Sequence, residues 1–168
     1  MADFDITVLI LSEHDLFRRA FTEIEALNDT AELEKRWTEL ADQLEVHASG
    51  EEEVFYPAML RKVDDSEEDT EHAVKDHNKI RDAVRAVAEH EVASDDWWTA
   101  FRAAREETVE HLEEEEHDVL PPFKDEVDED KRTELGMKWL AFRDAHEEAR
   151  GLSGGDVDPK AYVEENTA

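Results

Sequence analysis

Apolar residues recur along most of this chain at the spacing of a helix face, not in the alternation of a strand. Ile10, His14, Phe17, Phe21 and Ile24 mark one face of a helix expected over about 5–27. Asn28, Asp29 and Thr30 interrupt it, and Asp29 with Glu32 has the form of a capping box for the next helix. That helix is expected over about 30–62, with Leu33, Trp37, Leu40, Leu44, His47, Glu51 and Val54 stepping by fours and threes. Pro57 should kink its last turns, because proline lacks an amide donor and its ring collides with the preceding turn. Asp64, Asp65 and Ser66 read as a loop and cap. A third helix over about 67–92 turns Ala73, His77, Ile80, Val84 and Val87 inward. Ser94 caps a fourth, running to about 120, whose seam is Trp97 or Trp98, Phe101, Ala104, Thr108, His111, Glu115 and Val119. Pro121 and Pro122 end it or bend it sharply. A fifth, shorter helix over about 129–150 carries Leu135, Trp139, Phe142 and His146, with Gly151 as its C-cap.

These elements specify an all-α fold: an up-down four-helix bundle with a short additional C-terminal helix. Residues 1–150 form one domain, and 151–168 read as a flexible tail. Gly (5) and Pro (4) are scarce and 40% of residues are charged, which favours helix throughout.

Charge narrows the function. With 48 acidic and 19 basic residues the formal net charge is −29. Such a surface repels nucleic acid and anionic membranes, whose binding draws on Lys and Arg. The excess of acid also suggests a salt-rich, halophilic setting, where a short Debye length relieves self-repulsion. There are no cysteines, so disulfides, thiolate metal sites and thiol catalysis are excluded. The opening residues lack a basic flank and a small-residue cleavage site, and no apolar run is long enough to span a bilayer. The expected location is the cytoplasm.

The chemistry lies in an internal repeat. Helix one carries S-E-H-D around His14, and helix three carries K-D-H-N around His77. Helix two carries H-A-S-G-E-E-E-V-F-Y-P from His47, and helix four carries H-L-E-E-E-E-H-D-V-L-P from His111. His-x3-Glu therefore recurs at an offset of 64 (47 to 111, 51 to 115), as does the proline (57 to 121), while His14 and His77 are offset by 63. Residues i and i+4 share a helix face, so each His–Glu pair can reach one metal ion or an ion and its neighbour. All six residues lie on stripes assigned to the core, where ionised Glu51 and Glu115 would be costly without a cation. The candidate metal ligands are His14, His47, Glu51, His77, His111 and Glu115. His72, His90, His117 and His146 fall off these faces and read as surface or packing residues. Phe17, Phe55, Tyr56 and Phe101 read as ordinary core, with walling of the pocket as the alternative.

These motifs resemble the haemerythrin-like family, the HHE cation-binding domain, over about residues 5–125. The resemblance implies a four-helix bundle around two non-haem iron ions bridged by carboxylates; His and Glu ligands also suit manganese or zinc. Oxygen carriers of the family have a fifth His where this chain has Ala73, and place their last carboxylate at the position of Glu116, whereas the repeat favours Glu115. Four His, two bridging Glu and a bridging oxo or hydroxo group leave about two coordination positions for water or a reactant, assuming octahedral ions. The resemblance thus implies a protein that binds or reacts with dioxygen, peroxide or nitric oxide. The alternative is a non-enzymatic, iron-responsive regulatory module.

Overall fold

The computed structural model describes residues 4–167. Every regular element among them is helical: α1 (Ile6–Glu25), α2 (Thr30–Gly50), α3 (Tyr56–Lys62), α4 (Glu67–Ala88), α5 (Asp95–Glu114), α6 (Leu120–Glu126), α7 (Glu129–Ala145) and α8 (Pro159–Thr167). No helix among them is long and apolar enough to cross a membrane. Helix α1 lies against α2, α5 and α7, and α4 lies against α2, α5 and α8.

Local chemistry sets the starts. Asp5, Asp29, Ser94 and Asp128 each accept a backbone N–H from the first turn of the following helix. Ser66 departs from its expected capping role. Its hydroxyl donates backwards, to the carbonyls of Met59 (3.2 Å) and Val63 (2.9 Å), and so closes the end of α3.

The prolines are accommodated differently from expectation. Neither ends its helix. A π-helical turn, Glu51–Phe55, joins α2 to α3, and a second, Glu115–Val119, joins α5 to α6. Tyr56 N–H reaches back five residues to the Glu51 carbonyl, and Leu120 N–H to that of Glu115. The widened turn makes room for a ring that an α-helical turn would meet, and the helical run continues to Lys62 and to Glu126.

The C-terminal expectation also needs correction. The fifth helix closes at Ala145, with one 3-10 turn at Glu147–Ala149. Residues 151–168 were expected as a flexible tail, yet Pro159–Thr167 forms α8 against α3 and α4. Asn78 holds the approach to it with both ends of its amide, donating to Val157 O (2.7 Å) and accepting from Val157 N (2.9 Å). Val163 is buried, and Tyr162 donates to the Glu52 carbonyl. Few apolar residues mark this segment, so its attachment through polar groups leaves little periodic trace.

The core is divided. One apolar cluster contains Ile6, Ile10, Phe55, Met59, Val74, Phe123 and Trp139. The other contains Phe17, Phe21, Leu33, Trp37, Leu44, Trp97 and Phe101. Along each long helix the candidate ligands fall between the two: His14 after Ile10 and before Phe17, His47 and Glu51 after Leu44 and before Phe55. A polar layer thus crosses the interior between two dry ends.

Candidate metal centre

All six expected residues are in that layer and each is 3% exposed or less: His14 0%, His47 3%, Glu51 0%, His77 1%, His111 3% and Glu115 1%. They form two groups with potential ligand atoms within 4.8 Å of one another, His14–His47–Glu51–Glu115 and Glu51–His77–His111. Glu51 belongs to both. Its Oε1 lies 3.0 Å from His47 Nε2 and its Oε2 lies 3.0 Å from His77 Nε2. Glu115 Oε2 sits 3.3 Å from His14 Nε2 and 4.0 Å from His111 Nε2. His77 and His111 oppose their Nε2 atoms at 3.2 Å.

His77 Nε2 is within hydrogen-bonding geometry of Glu51 Oε2 and His111 Nε2, but the His47–Glu51 and His14–Glu115 contacts are close and badly aimed for hydrogen bonds. Five buried side-chain polar atoms among the described residues have no hydrogen-bond partner, and four of them are His14 Nε2, His47 Nε2, Glu51 Oε1 and Glu115 Oε2. Orphaned buried polar atoms cost about 1–3 kcal/mol each, so four in one layer require an explanation. A cation between them supplies it. Two imidazole nitrogens and two carboxylate oxygens are a donor set that fits iron, manganese or zinc.

A ring of outer carboxylates orients the imidazoles. His14 Nδ1 lies 2.9 Å from Glu116 Oε1, His47 Nδ1 2.8 Å from Glu13 Oε2, and His77 Nδ1 2.8 Å from Glu52 Oε1. Asp76 Oδ2 approaches His111 Nδ1 at 3.9 Å. With Nδ1 of His14, His47 and His77 turned outwards to a carboxylate, Nε2 of each of these rings faces the interior, where a metal would bind it. Each outer carboxylate is itself held by a donor. Arg18 binds Glu116 at 2.8 Å, Arg81 binds Glu52 at 3.0 Å and Lys79 binds Asp76 at 2.6 Å. Glu13 is held from α7 by Trp139 Nε1 (2.9 Å) and Arg143 (2.8 Å).

Sequence reasoning missed these outer residues, although the repeat contains them. Glu13 and Asp76 immediately precede His14 and His77; Glu52 and Glu116 immediately follow Glu51 and Glu115. Glu13 serves His47 as Asp76 faces His111, and Glu116 serves His14 as Glu52 serves His77. Glu116, weighed at first as an inner group, therefore stands outside, with its side chain 24% exposed.

Tyr56 breaks the symmetry, because the matching position of the repeat is Leu120. Its hydroxyl donates to Glu115 Oε1 at 2.9 Å and lies 3.3 Å from His77 Nε2 and 3.4 Å from Glu51 Oε2. The phenol faces the polar layer directly.

The electrostatics describe a centre that holds positive charge. Burial opposes the charged form of His47, but Glu51 and Glu13 outweigh it and raise its pKa to about 10. Burial likewise opposes the charge on His77, and Glu51 and Glu52 raise it to about 9. His14 is raised too, against its burial, by Glu115 and Glu116. Glu51 is held well below the usual carboxylate range by His47 and His77, despite the burial that works against it. His14 and then Arg18 lower Glu116 to about 2, with burial opposing. Protons on these imidazoles are what a metal ion would displace on binding.

Of the histidines set aside, His90 and His117 are exposed, and His146 bonds the Arg150 carbonyl. His72 stands at the surface beside Asp76 and Glu114. Ala73 lines a small cavity next to His111 and Glu115.

No curated protein and no solved structure matches the chain. The family model for the hemerythrin HHE cation-binding domain matches residues 5–123, a span that includes all six inner residues and all four outer carboxylates. The chain belongs to the hemerythrin HHE cation-binding domain family.

Proposed function

We propose that the protein holds a dinuclear non-haem iron centre and uses it to bind or transform a small oxidant such as dioxygen, peroxide or nitric oxide. The observation that carries this reading is Glu51, a fully buried carboxylate with one oxygen toward His47 and the other toward His77. One ion would take His14 and His47, and the other His77 and His111, with Glu51 and Glu115 shared. The preference for iron over manganese or zinc is supported by family membership and by a nitrogen–oxygen donor set without thiolate. The reading treats α1, α2, α4 and α5 as an up-and-down four-helix bundle. The short connections at 26–29, 63–66 and 89–94 support that arrangement.

A bound iron pair would supply electrons to the oxidant. The chain's own contribution is orientation and proton handling. Outer carboxylates keep Nε2 of His14, His47 and His77 turned inward. The Tyr56 hydroxyl, which donates its one proton to Glu115, would have to exchange that hydrogen bond to give one to a small ligand. Phe17 and Phe55 belong to the apolar clusters on either side and keep bulk water away.

The test is metal content and optical spectrum after purification with iron present. About two irons per chain, the number a dinuclear site requires, and near-ultraviolet charge-transfer absorption that responds to peroxide or nitric oxide are expected. A chain that retains no iron and shows no such absorption would refute the reading. A regulatory role is favoured by one observation: α8 is tied through Tyr162 to the backbone of Glu52, whose side chain orients His77. It predicts a metal-dependent rise in melting temperature without turnover of either oxidant.

A further inference from the structure

His72, Asp76 and Glu114 form a third group whose potential ligand atoms lie within 4.8 Å of one another. His72 and Asp76 are four residues apart on α4, with His72 Nε2 3.3 Å from Asp76 Oδ2; Glu114 Oε2, from α5, lies 3.1 Å from the same nitrogen. The His72 and Glu114 side chains reach solvent (54% and 41% exposed), whereas Asp76 is 6% exposed. The group is therefore anchored at depth and open at its outer side.

A cavity of about 40 Å³ is lined by this group together with His111 and Glu115 of the buried centre. That volume exceeds the ~10–15 Å³ needed by one water molecule, so a partly dehydrated ion fits. Ala73 keeps the cavity open, since a larger side chain there would fill it. Asp69 and Asp118 add negative charge at its wall, and no Lys or Arg lines it. Two further observations point to a cation. Glu115, in its lining, carries a buried oxygen without a hydrogen-bond partner. Asp76 Oδ1 is occupied by Lys79 at 2.6 Å, while its Oδ2 faces both His72 Nε2 (3.3 Å) and His111 Nδ1 (3.9 Å). One carboxylate oxygen thus touches the surface imidazole and a buried one.

We propose that His72, Asp76 and Glu114 form an outer cation site through which a divalent metal ion reaches the buried centre. The loading role rests on the dinuclear reading above; the outer site itself does not. One imidazole and two carboxylates, one donor atom each, leave half of an octahedral ion's positions to water. Such a site holds metal more weakly than the buried set and suits transit. The acidic mouth raises the local cation concentration.

The test uses the full-length chain stripped of metal and titrated with Co2+, read by calorimetry and by equilibrium dialysis. Wild type is expected to take one weak equivalent beyond those of the buried centre. His72→Ala and, separately, the near-isosteric Glu114→Gln should lose that equivalent. Stopped-flow absorbance should show the buried centre of both variants filling about tenfold more slowly, the low end of the range for electrostatic steering, with unchanged circular dichroism. Unchanged stoichiometry, or unchanged filling rate, in both variants overturns the proposal and leaves the trio a surface ion pair. A Glu51→Gln chain separates the two readings. If only the His72-dependent equivalent binds, in wild type as in Glu51→Gln, the dinuclear reading fails and the loading role with it. If wild type fills the buried centre while no equivalent depends on His72, the outer site alone fails.

Discussion

At the scale of single residues, the centre is a set of imidazoles each fixed from behind. His77 shows the arrangement in full: Nε2 faces Glu51, Nδ1 faces Glu52, and Arg81 holds Glu52. Glu52→Gln keeps the shape but removes the charge that steers the ring. We expect metal affinity to drop about 10–100-fold, as for other outer ligand partners. Competition against a chelator measures this, and circular dichroism should be unchanged. Asp5 provides a pH test away from the centre. It caps α1 through Thr7 and binds Arg132 at 2.7 Å. Burial opposes its charge, but Arg132 and Thr7 outweigh it and hold its pKa below the ordinary 3.8. A carboxylate depressed on folding stabilises the fold above its unfolded pKa, and that stability is lost as pH falls through the folded value. Asp5→Asn keeps a capping side chain but loses the charge that Arg132 binds, so it should cost about 1 kcal/mol near neutral pH, the upper end for a partly exposed ion pair. The gap between wild-type and variant urea midpoints should shrink below pH 3.8. The inner residues were legible because His-x3-Glu twice over is a pattern in one dimension. The outer carboxylates were not, because each serves a histidine on another helix, and this chain has 48 acidic residues to choose among.

At the scale of elements, the boundaries followed from caps and periodicity, and the surprises came from prolines and a glycine. Pro57 was expected to kink its helix and Pro121 with Pro122 to end or bend theirs. Neither helical run ends there, and each proline follows a π-helical turn that begins on an inner carboxylate, Glu51 or Glu115, and continues into the outer one, Glu52 or Glu116. Sequence shows the missing amide; it does not show whether the helix ends, bends or widens, since neighbouring helices decide which is tolerated. Gly136 on α7 is fixed by a close approach. A Cβ there would stand 1.7 Å from the Phe4 carbonyl oxygen, so the start of α1 passes directly over it. Gly136→Ala must push backbone aside, and we expect it to lower stability by about 1–3 kcal/mol, the scale of overpacking. A reduced urea midpoint checks this. Because α7 supplies Trp139 and Arg143 to Glu13, the same change should also loosen His47.

At the scale of the whole molecule, charge dominates. A net charge of −29 on 168 residues opposes compaction, and most of the ion pairs that offset it lie at the surface, where such pairs are worth little. Screening should therefore help more than it harms. We expect the melting temperature to rise between low and molar potassium chloride, measured by calorimetry; an unchanged or lower value would count against a salt-adapted protein. The molecule also extends past the family-matched residues. Helix α7 reaches into the centre through Glu13, and α8 fastens onto Glu52 and Asn78. Neither contact could be inferred from its own segment, whose apolar residues are too few to mark a destination.

By itself the sequence determined the helical class, the apolar faces, and six residues able to bind metal on those faces, because these depend on spacings of three and four along one chain. Only the tertiary structure decided that Glu51 lies between two histidine pairs, that Tyr56 enters the layer from one side, and that a small cavity beside Ala73 is lined by both His72 and Glu115. Those facts depend on how helices distant in sequence are turned toward one another. That rotation is set by the two apolar clusters on either side of the polar layer, and no local pattern contains it.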